Sequence, residues 1–215
     1  MYFEDRSDAA RQLARALRSW RGAGALVLAI PRGAVPMGRI IAEDLQADLD
    51  VVLVRKLGAP MNPEFAVGSV DETGWTYVPD YARELGFDER TLERERRRQI
   101  EVMRERRALY TPGRQPADPR GRACIIVDDG LATGSTMIAA IHSVRARGAA
   151  KVVCAVPVAS PDSLERVRAL ADEVVCLDAP PAFNAVGQYY RHFDQVSDEE
   201  VLECLSTAGS SQRSH

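Results

Sequence analysis

Short, uninterrupted apolar runs separated by helical stretches are the feature that most constrains the fold of this chain. None of these runs alternates between apolar and polar residues. Strands with one solvated face alternate, whereas strands of a parallel sheet covered on both faces are apolar throughout. We therefore predict an open, doubly wound α/β fold with a mainly parallel five-stranded sheet. The predicted strands are roughly 25–30, 50–55, 122–127, 151–156 and 173–177.

Helical spacing of apolar residues fills the intervals between these strands. A first helix is predicted from Asp8 to Trp20, with Ser7 as its N-cap, because apolar residues recur there every three or four positions. The first two strands and the helix between them form a βαβ unit of about 30 residues. The other predicted helices of the core are about 36–45, 135–147 and 161–171.

Composition and net charge limit the class of protein. The chain has 215 residues, of which 46% are hydrophobic and 27% charged. These values are typical of one globular domain, which we predict over residues 1–206, and they exclude wholesale disorder. The polar tail, 207–215, is predicted to be disordered. The net charge of −3 argues against a nucleic-acid binder that relies on bulk positive charge.

The cysteines and the length of the apolar runs bear on the compartment. The four cysteines are widely spaced and form no CxxC pair, which favours buried hydrophobic side chains over a zinc site or a disulfide. No apolar run approaches the roughly 18–20 residues of a membrane span, and the first residues lack an apolar signal core. We therefore expect a cytoplasmic protein with no membrane partner.

An insertion of about 57–121 separates the second and third strands. Two short runs, 66–70 and 75–78, flank the turn residues 71–74 and predict a hairpin. A charged helix from 88 to 109, rich in Arg and Glu, is predicted to follow. It is either a nucleic-acid-binding helix or a solvated helix with ion pairs between successive turns, and the acidity of the chain favours the second.

A string of residues after the third predicted strand carries the strongest chemical signal. It runs from Cys124 to Met137 and reads CIIVDDGLATGSTM. The strand brings Asp128 and Asp129 to the carboxyl edge of the sheet, where open α/β sheets bind ligands. A turn of small and hydroxyl-bearing residues then begins a helix, and such a turn suits an anion. If the segment is only a connector between strand and helix, the two acids would cap the helix. If it is a binding site, the turn would take a phosphate and the acids a polyol, and the ligand would be a sugar phosphate.

This string resembles the 5-phosphoribosyl 1-pyrophosphate (PRPP) motif of the type I phosphoribosyltransferases, in the form found in the adenine enzymes. The resemblance implies an enzyme of the pentosyltransferase class that acts in nucleotide salvage with Mg²⁺. It assigns ribose binding and catalysis to Asp128 and Asp129, with a direct or indirect contact to Mg²⁺. It assigns the 5′-phosphate of PRPP to Ala132, Thr133, Gly134, Ser135 and Thr136.

Two further segments at predicted strand ends resemble parts of the same family. Residues 30–34 (IPRGA) are similar to the family's pyrophosphate loop, in which a strained and often cis peptide turns amides toward the ligand. Residues 52–58 (VLVRKLG) are similar to a basic segment of the adenine and orotate enzymes. Taken alone, these segments are a simple turn and a pair of solvated cations. The resemblance implies that Arg32, Gly33, Arg55 and Lys56 bind pyrophosphate and that Arg55 and Lys56 take part in catalysis.

The resemblance covers about 22–60 and 120–180 and leaves the acceptor open. In the family, the segment after the second strand is a flexible hood, a place taken here by the hairpin. Relatives contact the base after the last strand, so Phe183 either stacks on a base or anchors its loop. Ala132 stands where hypoxanthine-guanine enzymes carry an acid, which excludes recognition of a 6-oxopurine through that acid.

Two functions follow from these motifs. One is transfer of ribose 5-phosphate from PRPP to a nitrogen acceptor, expected to be a nucleobase, with release of pyrophosphate. The alternative is a regulatory protein that senses PRPP or a nucleotide without catalysis, because a fold does not fix a function. The acceptor, its acid or base, the role of helix 88–109 and the oligomeric state, with a homodimer as one option, are not decided by the sequence.

Overall fold

The structure, a computed structural model, describes residues 2–59, 62–78 and 89–208. The helices are α1 (Arg6–Ala16), α2 (Val35–Leu45), α3 (Glu89–Tyr110), α4 (Ser135–Ala146), α5 (Pro161–Arg168) and α6 (Asp198–Ala208), with short 3₁₀ turns at Arg18–Trp20 and Val186–Tyr189. The strands are β1 (Leu26–Ala29), β2 (Asp48–Val51), β3 (Val54–Ala59), β4 (Asn62–Asp71), β5 (Thr76–Tyr77), β6 (Ala123–Val127), β7 (Lys151–Val158) and β8 (Glu173–Asp178).

The main sheet has five strands in the order β2-β1-β6-β7-β8, and every neighbouring pair is parallel. The predicted doubly wound parallel fold is therefore confirmed. Val27 and Ala29 of β1 belong to the core shared with α1 and α2. Leu26 and Leu28 face the opposite core, which contains residues of α4 and α5. Both faces are thus covered, which explains why the strands are apolar throughout.

The N-cap of the first helix and the second strand of the main sheet differ from the prediction. The N-cap of α1 is Asp5, whose carboxylate accepts from the amide of Asp8 at 2.8 Å, because an acid two positions before Ser7 already satisfies one of the first free amides. The second strand of the main sheet covers Asp48–Val51 and not 50–55. The chain then leaves this sheet, and residues from Val54 onward begin β3 of a second sheet.

The second sheet is antiparallel and has the order β3-β4-β5. Its β4–β5 hairpin, with Ser69 opposite Tyr77, matches the hairpin predicted around 71–74. The Asp71 carboxylate holds the turn by accepting from two amides and the Thr73 hydroxyl, and it also accepts from Ser143 of α4 at 2.7 Å. Tyr77 stacks on His142 with ring centroids 4.2 Å apart. This second sheet, called the small sheet below, is therefore fixed on α4, beside the main sheet. Its closure over a ligand as a flexible hood stays a prediction.

One buried arginine joins the long helix α3 to both sheets. Arg107 donates to Asp50 of β2 at 2.7 Å and to both carboxylate oxygens of Glu72. It also donates to the carbonyl oxygen of Val51 at 3.0 Å. These contacts fix α3 across the junction at which the chain passes from β2 to β3.

The C-terminal helix α6 was not predicted from the sequence. It packs against α2, β2 and α3, with Val201 and Leu205 buried in the core. The tail predicted to be disordered was 207–215, but Thr207 and Ala208 belong to α6; residues 209–215 lie outside the described residues. The four cysteines are free, and Cys124, Cys154 and Cys204 are buried. Within the described part of the chain, no helix is long and apolar enough to cross a membrane.

Candidate active site

The segments after β1 and β6 meet at the carboxyl edge of the main sheet. These strands are parallel neighbours, so their ends lie side by side. The peptide bond between Pro31 and Arg32 is cis. Gly33 lies against the carboxylate of Asp129 so closely that a Cβ atom at position 33 would overlap Oδ2. The structure thus brings together the predicted pyrophosphate loop and the predicted ribose-binding acids, which are far apart in sequence.

The two acids form an adjacent, largely desolvated pair. The amide of Asp129 donates to Oδ1 of Asp128 at 2.9 Å. Burial, with the adjacent Asp129 charge as the second cause, raises the pKa of Asp128 well above its ordinary value. Burial also raises the pKa of Asp129, although the charge of Arg6 opposes that shift. Ionisable groups shifted in this way are enriched at functional sites.

Sequence reasoning missed the cation that pairs with the acids. Arg6 of α1 donates to Oδ2 of Asp129 through Nε at 3.0 Å and Nη2 at 2.9 Å. Its guanidinium also lies over the ring of Phe193, 3.9 Å from the centroid, and donates to the carbonyl oxygen of Asp194. No local pattern could have found this pair, because its members are 123 positions apart.

The predicted phosphate turn lies at the start of α4 and is held from behind by α5. Gly134 is the N-cap, with a left-handed φ of 68°. The hydroxyls of Thr133 and Ser135 are 3.1 Å apart. The first turn of a helix leaves its amides without intrahelical acceptors, so the turn offers both amide and hydroxyl donors to an anion. Three α5 contacts support it: Ser160 and Ser163 donate to the carbonyl oxygen of Ala132, and Arg166 donates to that of Thr133.

A cavity of about 530 Å³ lies between β3 and α3. Arg55 and Lys56 line it, together with Pro31 of the predicted pyrophosphate loop and Thr136 of the predicted phosphate turn. Arg55 and Lys56 are therefore on the small sheet and not at the end of β2, although the fold still brings them next to that loop. Helix α3 provides the opposite wall with Thr91, Arg94, Glu95, Arg98, Gln99, Met103 and Arg106.

Arg32 and Phe183 are among the predicted site residues that do not line this cavity. Arg32 is exposed and has Asp198 of α6 as a distant ion-pair partner, with Nη1 and Oδ1 3.9 Å apart. Phe183 is half-buried and stacks on Tyr189 with ring centroids 5.4 Å apart. This contact is the one that an anchor for the loop would make, and base stacking by Phe183 stays a prediction.

The residues present fit a magnesium ion that is shared with a substrate. Asp128 and Asp129 supply the oxygen ligands that Mg²⁺ prefers, and Mg²⁺ at phosphate sites uses one or two carboxylates plus substrate oxygens. Among the described residues, no group of three or more His, Cys, Asp or Glu side chains could hold a metal ion alone. Any Mg²⁺ at these acids would therefore complete its coordination with other oxygen ligands, such as substrate oxygens and water.

Comparison with known proteins identifies the family. Residues 5–194 match the phosphoribosyl transferase domain. A provisionally named phosphoribosyl transferase of Mycobacterium tuberculosis is 45% identical over 207 residues, which are 96% of this chain and 47% of the relative. This chain thus spans about half the length of the curated relatives that it matches.

A solved structure is similar over almost its whole length. The crystal structure of TT1426 from Thermus thermophilus has a TM-score of 0.86 and 47% identity to this chain, and the match covers 95% of this chain and 98% of that one. A uracil phosphoribosyltransferase of Bifidobacterium longum is 41% identical over 54 residues, 25% of this chain and 25% of the relative. With nearly all of its described core inside the family match, the chain belongs to the phosphoribosyl transferase domain family.

Proposed function

We propose that this chain transfers the ribose 5-phosphate group of PRPP to a nitrogen acceptor and releases pyrophosphate. The observation that carries the proposal is the contact of Gly33 with the carboxylate of Asp129. In PRPP the pyrophosphate leaves from C1 of the ribose, so its two binding loops must adjoin. The phosphoribosyl transferase family match supports the same reaction class.

Each part of PRPP has residues of suitable chemistry. The amides and hydroxyls from Ala132 to Thr136 would hold the 5′-phosphate at the start of α4. Asp128 and Asp129 would accept hydrogen bonds from the ribose hydroxyls. The pyrophosphate would lie against Gly33, between Arg32 on one side and the cationic cavity on the other. The residues proposed for that cavity side are Arg55 and Lys56.

The chemistry needs electrostatic support more than covalent participation. The acceptor nitrogen forms a bond to C1 while the bond from C1 to the pyrophosphate oxygen breaks, with inversion at C1. Positive charge develops on the ribose ring, and the nearby carboxylates would offset it. The cations would neutralise the negative charge that collects on the pyrophosphate. When bound, Mg²⁺ would be held by Asp128 or Asp129 together with PRPP and would add to that neutralisation.

The acceptor in this proposal is a nucleobase, which would give the enzyme a role in nucleotide salvage. Phe183 lies after β8, the side from which we expect the base to be contacted. The stacking of Phe183 on Tyr189 fixes the position of the loop that carries Phe183. Ala132 offers no acid for a 6-oxopurine, so adenine, pyrimidines and other nitrogen heterocycles come first in a substrate screen.

The test is pyrophosphate release on mixing the protein with PRPP, Mg²⁺ and each member of a nucleobase panel. We expect release with at least one acceptor, and we expect the Asp128→Asn, Asp129→Asn double variant to lose it while keeping the circular dichroism spectrum of the wild type. PRPP binding without turnover of any acceptor would favour the sensor alternative. Wild-type turnover by the double variant would show that the acids are structural.

A further inference from the structure

The cavity between β3 and α3 has a strongly cationic lining. Among the residues that the structure describes, five basic side chains and one acidic side chain line it. The two basic residues of β3 are those already predicted to bind pyrophosphate. The other three, Arg94, Arg98 and Arg106, come from α3, and the functional motifs did not include them.

Helix α3 is fixed by its opposite side, so its cationic side has a defined direction. Arg96 donates to the carbonyl oxygen of Gly74 through Nε at 3.1 Å and Nη2 at 2.9 Å, and to the hydroxyl of Thr76. Arg107 is held by Asp50 and Glu72 near the C-terminal end of the helix. A helix that is merely exposed to solvent would not make these contacts with the rest of the fold. They keep the cavity side of α3 facing β3.

The positive charges of the cavity are poorly compensated by the protein itself. Nε of Arg55 donates to a neutral acceptor, Oε1 of Gln99, at 3.0 Å. Glu95 is 3.7 Å from Arg98, which is largely exposed. Among the described residues, Arg55, Arg94 and Arg106 have no carboxylate within ion-pair distance. Burial lowers the pKa of Arg55, and the charges of Arg106 and Arg98 lower it further.

Like charges held together in this way are unfavourable until an anion joins them. The volume of about 530 Å³ lies in the range of roughly 300–1,000 Å³ that is typical of ligand sites. Guanidinium groups bind phosphate oxygens in a bidentate manner and stay charged when partly buried. The cavity therefore suits several linked phosphate groups better than a single one.

We propose that this cavity is a polyphosphate site in which Arg94, Arg98 and Arg106 of α3 act with Arg55 and Lys56, and that it binds linked phosphates without a metal ion. Two sources share this chemistry. One is the pyrophosphate end of PRPP, which rests on the proposed function, and the other is the polyphosphate tail of a nucleoside triphosphate, which does not. In both cases α3 adds a binding wall that faces the small sheet.

The test measures binding of inorganic tripolyphosphate by calorimetry. The buffer has low ionic strength and contains a chelator that removes metal ions. We expect the wild type to bind and the Arg94→Gln, Arg98→Gln variant to bind at least tenfold more weakly. The matched control is Arg97→Gln, Arg104→Gln, which removes the same charge from two arginines of α3 that are exposed and lie outside the cavity lining. Its affinity should stay within about threefold of the wild type, since screened surface charges act weakly.

Three results would overturn the proposal. The first is that the wild type does not bind tripolyphosphate, and the second is that the two arginine variants lose affinity equally. The third is loss of tripolyphosphate binding in the Asp128→Asn, Asp129→Asn variant, in which the cavity is intact. Displacement of tripolyphosphate by PRPP or by ATP would show which of the two ligands supplies the linked phosphates. Displacement by neither would exclude both PRPP and nucleoside triphosphates as ligands of the cavity. Pyrophosphate release by a protein that does not bind tripolyphosphate would remove this inference and leave the proposed function standing.

Discussion

Replacing Arg107 tests how α3 is held against the two sheets. The Arg107 side chain is 11% exposed, and the side chains of its partners Asp50 and Glu72 are 2% and 7% exposed. Arg107→Ala would leave two buried carboxylates without their cation. Removing one partner of a buried ion pair costs about 3–5 kcal/mol. For a domain of this size that loss corresponds to a fall of roughly 6–20 °C in Tm.

The pH dependence separates this electrostatic cost from a loss of packing. In the variant, the stranded carboxyls bind protons more readily in the folded state than in the unfolded state. The folded variant is therefore stabilised as pH falls, and its deficit relative to the wild type should be smaller at pH 5 than at pH 8. A loss caused by packing alone would be the same at both pH values.

Thermal and urea unfolding at the two pH values are the assays. Arg107→Lys keeps the charge but loses the bidentate geometry, so we expect an intermediate loss, and this variant gives a reading even if the alanine variant folds poorly. Arg104→Ala is the control, because Arg104 is 69% exposed and its ion pair with Glu101 is long, at 3.5 Å. A loss below about 1 kcal/mol for Arg107→Ala, or a deficit independent of pH, would refute this account of the buried cluster.

Three further predictions concern the acids and the loop beside them. Arg6→Ala removes the charge that opposes the rise in the pKa of Asp129, so the acid limb of kcat/KM for PRPP should move to higher pH; an unmoved limb would mean that Arg6 is only structural. Burial raises the pKa of Asp128 above 3.8, so the folded state holds more protons than the unfolded state and stability falls as pH rises from 3.8 through the raised pKa. Asp128→Asn should therefore raise Tm at pH 8 by about 2–4 °C, the effect of about 1 kcal/mol, and a lower Tm in calorimetry would contradict this. Gly33→Ala should weaken PRPP binding at least tenfold in a titration while circular dichroism stays unchanged, since its Cβ atom would displace the Asp129 carboxylate; wild-type affinity would show that the loop adapts.

The parallel sheet could be predicted from sequence because its burial leaves a local trace. Each strand of the core is an apolar run, and four of the five predicted strands end within two residues of the observed ones. The second strand failed for a physical reason. Val51, Val52, Leu53 and Val54 are all apolar, although the chain changes sheets between Val51 and Val54. Because both sheets bury their residues there, composition does not reveal the change.

The residues of the candidate site also fall into two groups, those that local sequence reveals and those that only the tertiary structure reveals. The acids, the phosphate turn and the basic pair lie in contiguous strings, so their chemistry can be read locally. The partnership of Arg6 with Asp129 depends on how α1 packs and leaves no local signal. For α3, helical spacing shows that Arg94, Arg98 and Arg106 share one side, but only the tertiary fold shows that this side faces a cavity.

The first residues of the chain also bear on how the protein is best handled. The amide of Phe3 donates to the carbonyl oxygen of Tyr189, and the amide of Arg191 donates back to that of Phe3. Tyr190, between them, donates its hydroxyl to the carbonyl oxygen of Asp129 at 2.7 Å. The amino-terminal end is thereby joined to the backbone of the acid pair. A purification tag fused directly before Phe3, or loss of this residue, would disturb Asp128 and Asp129, the acids proposed to bind ribose.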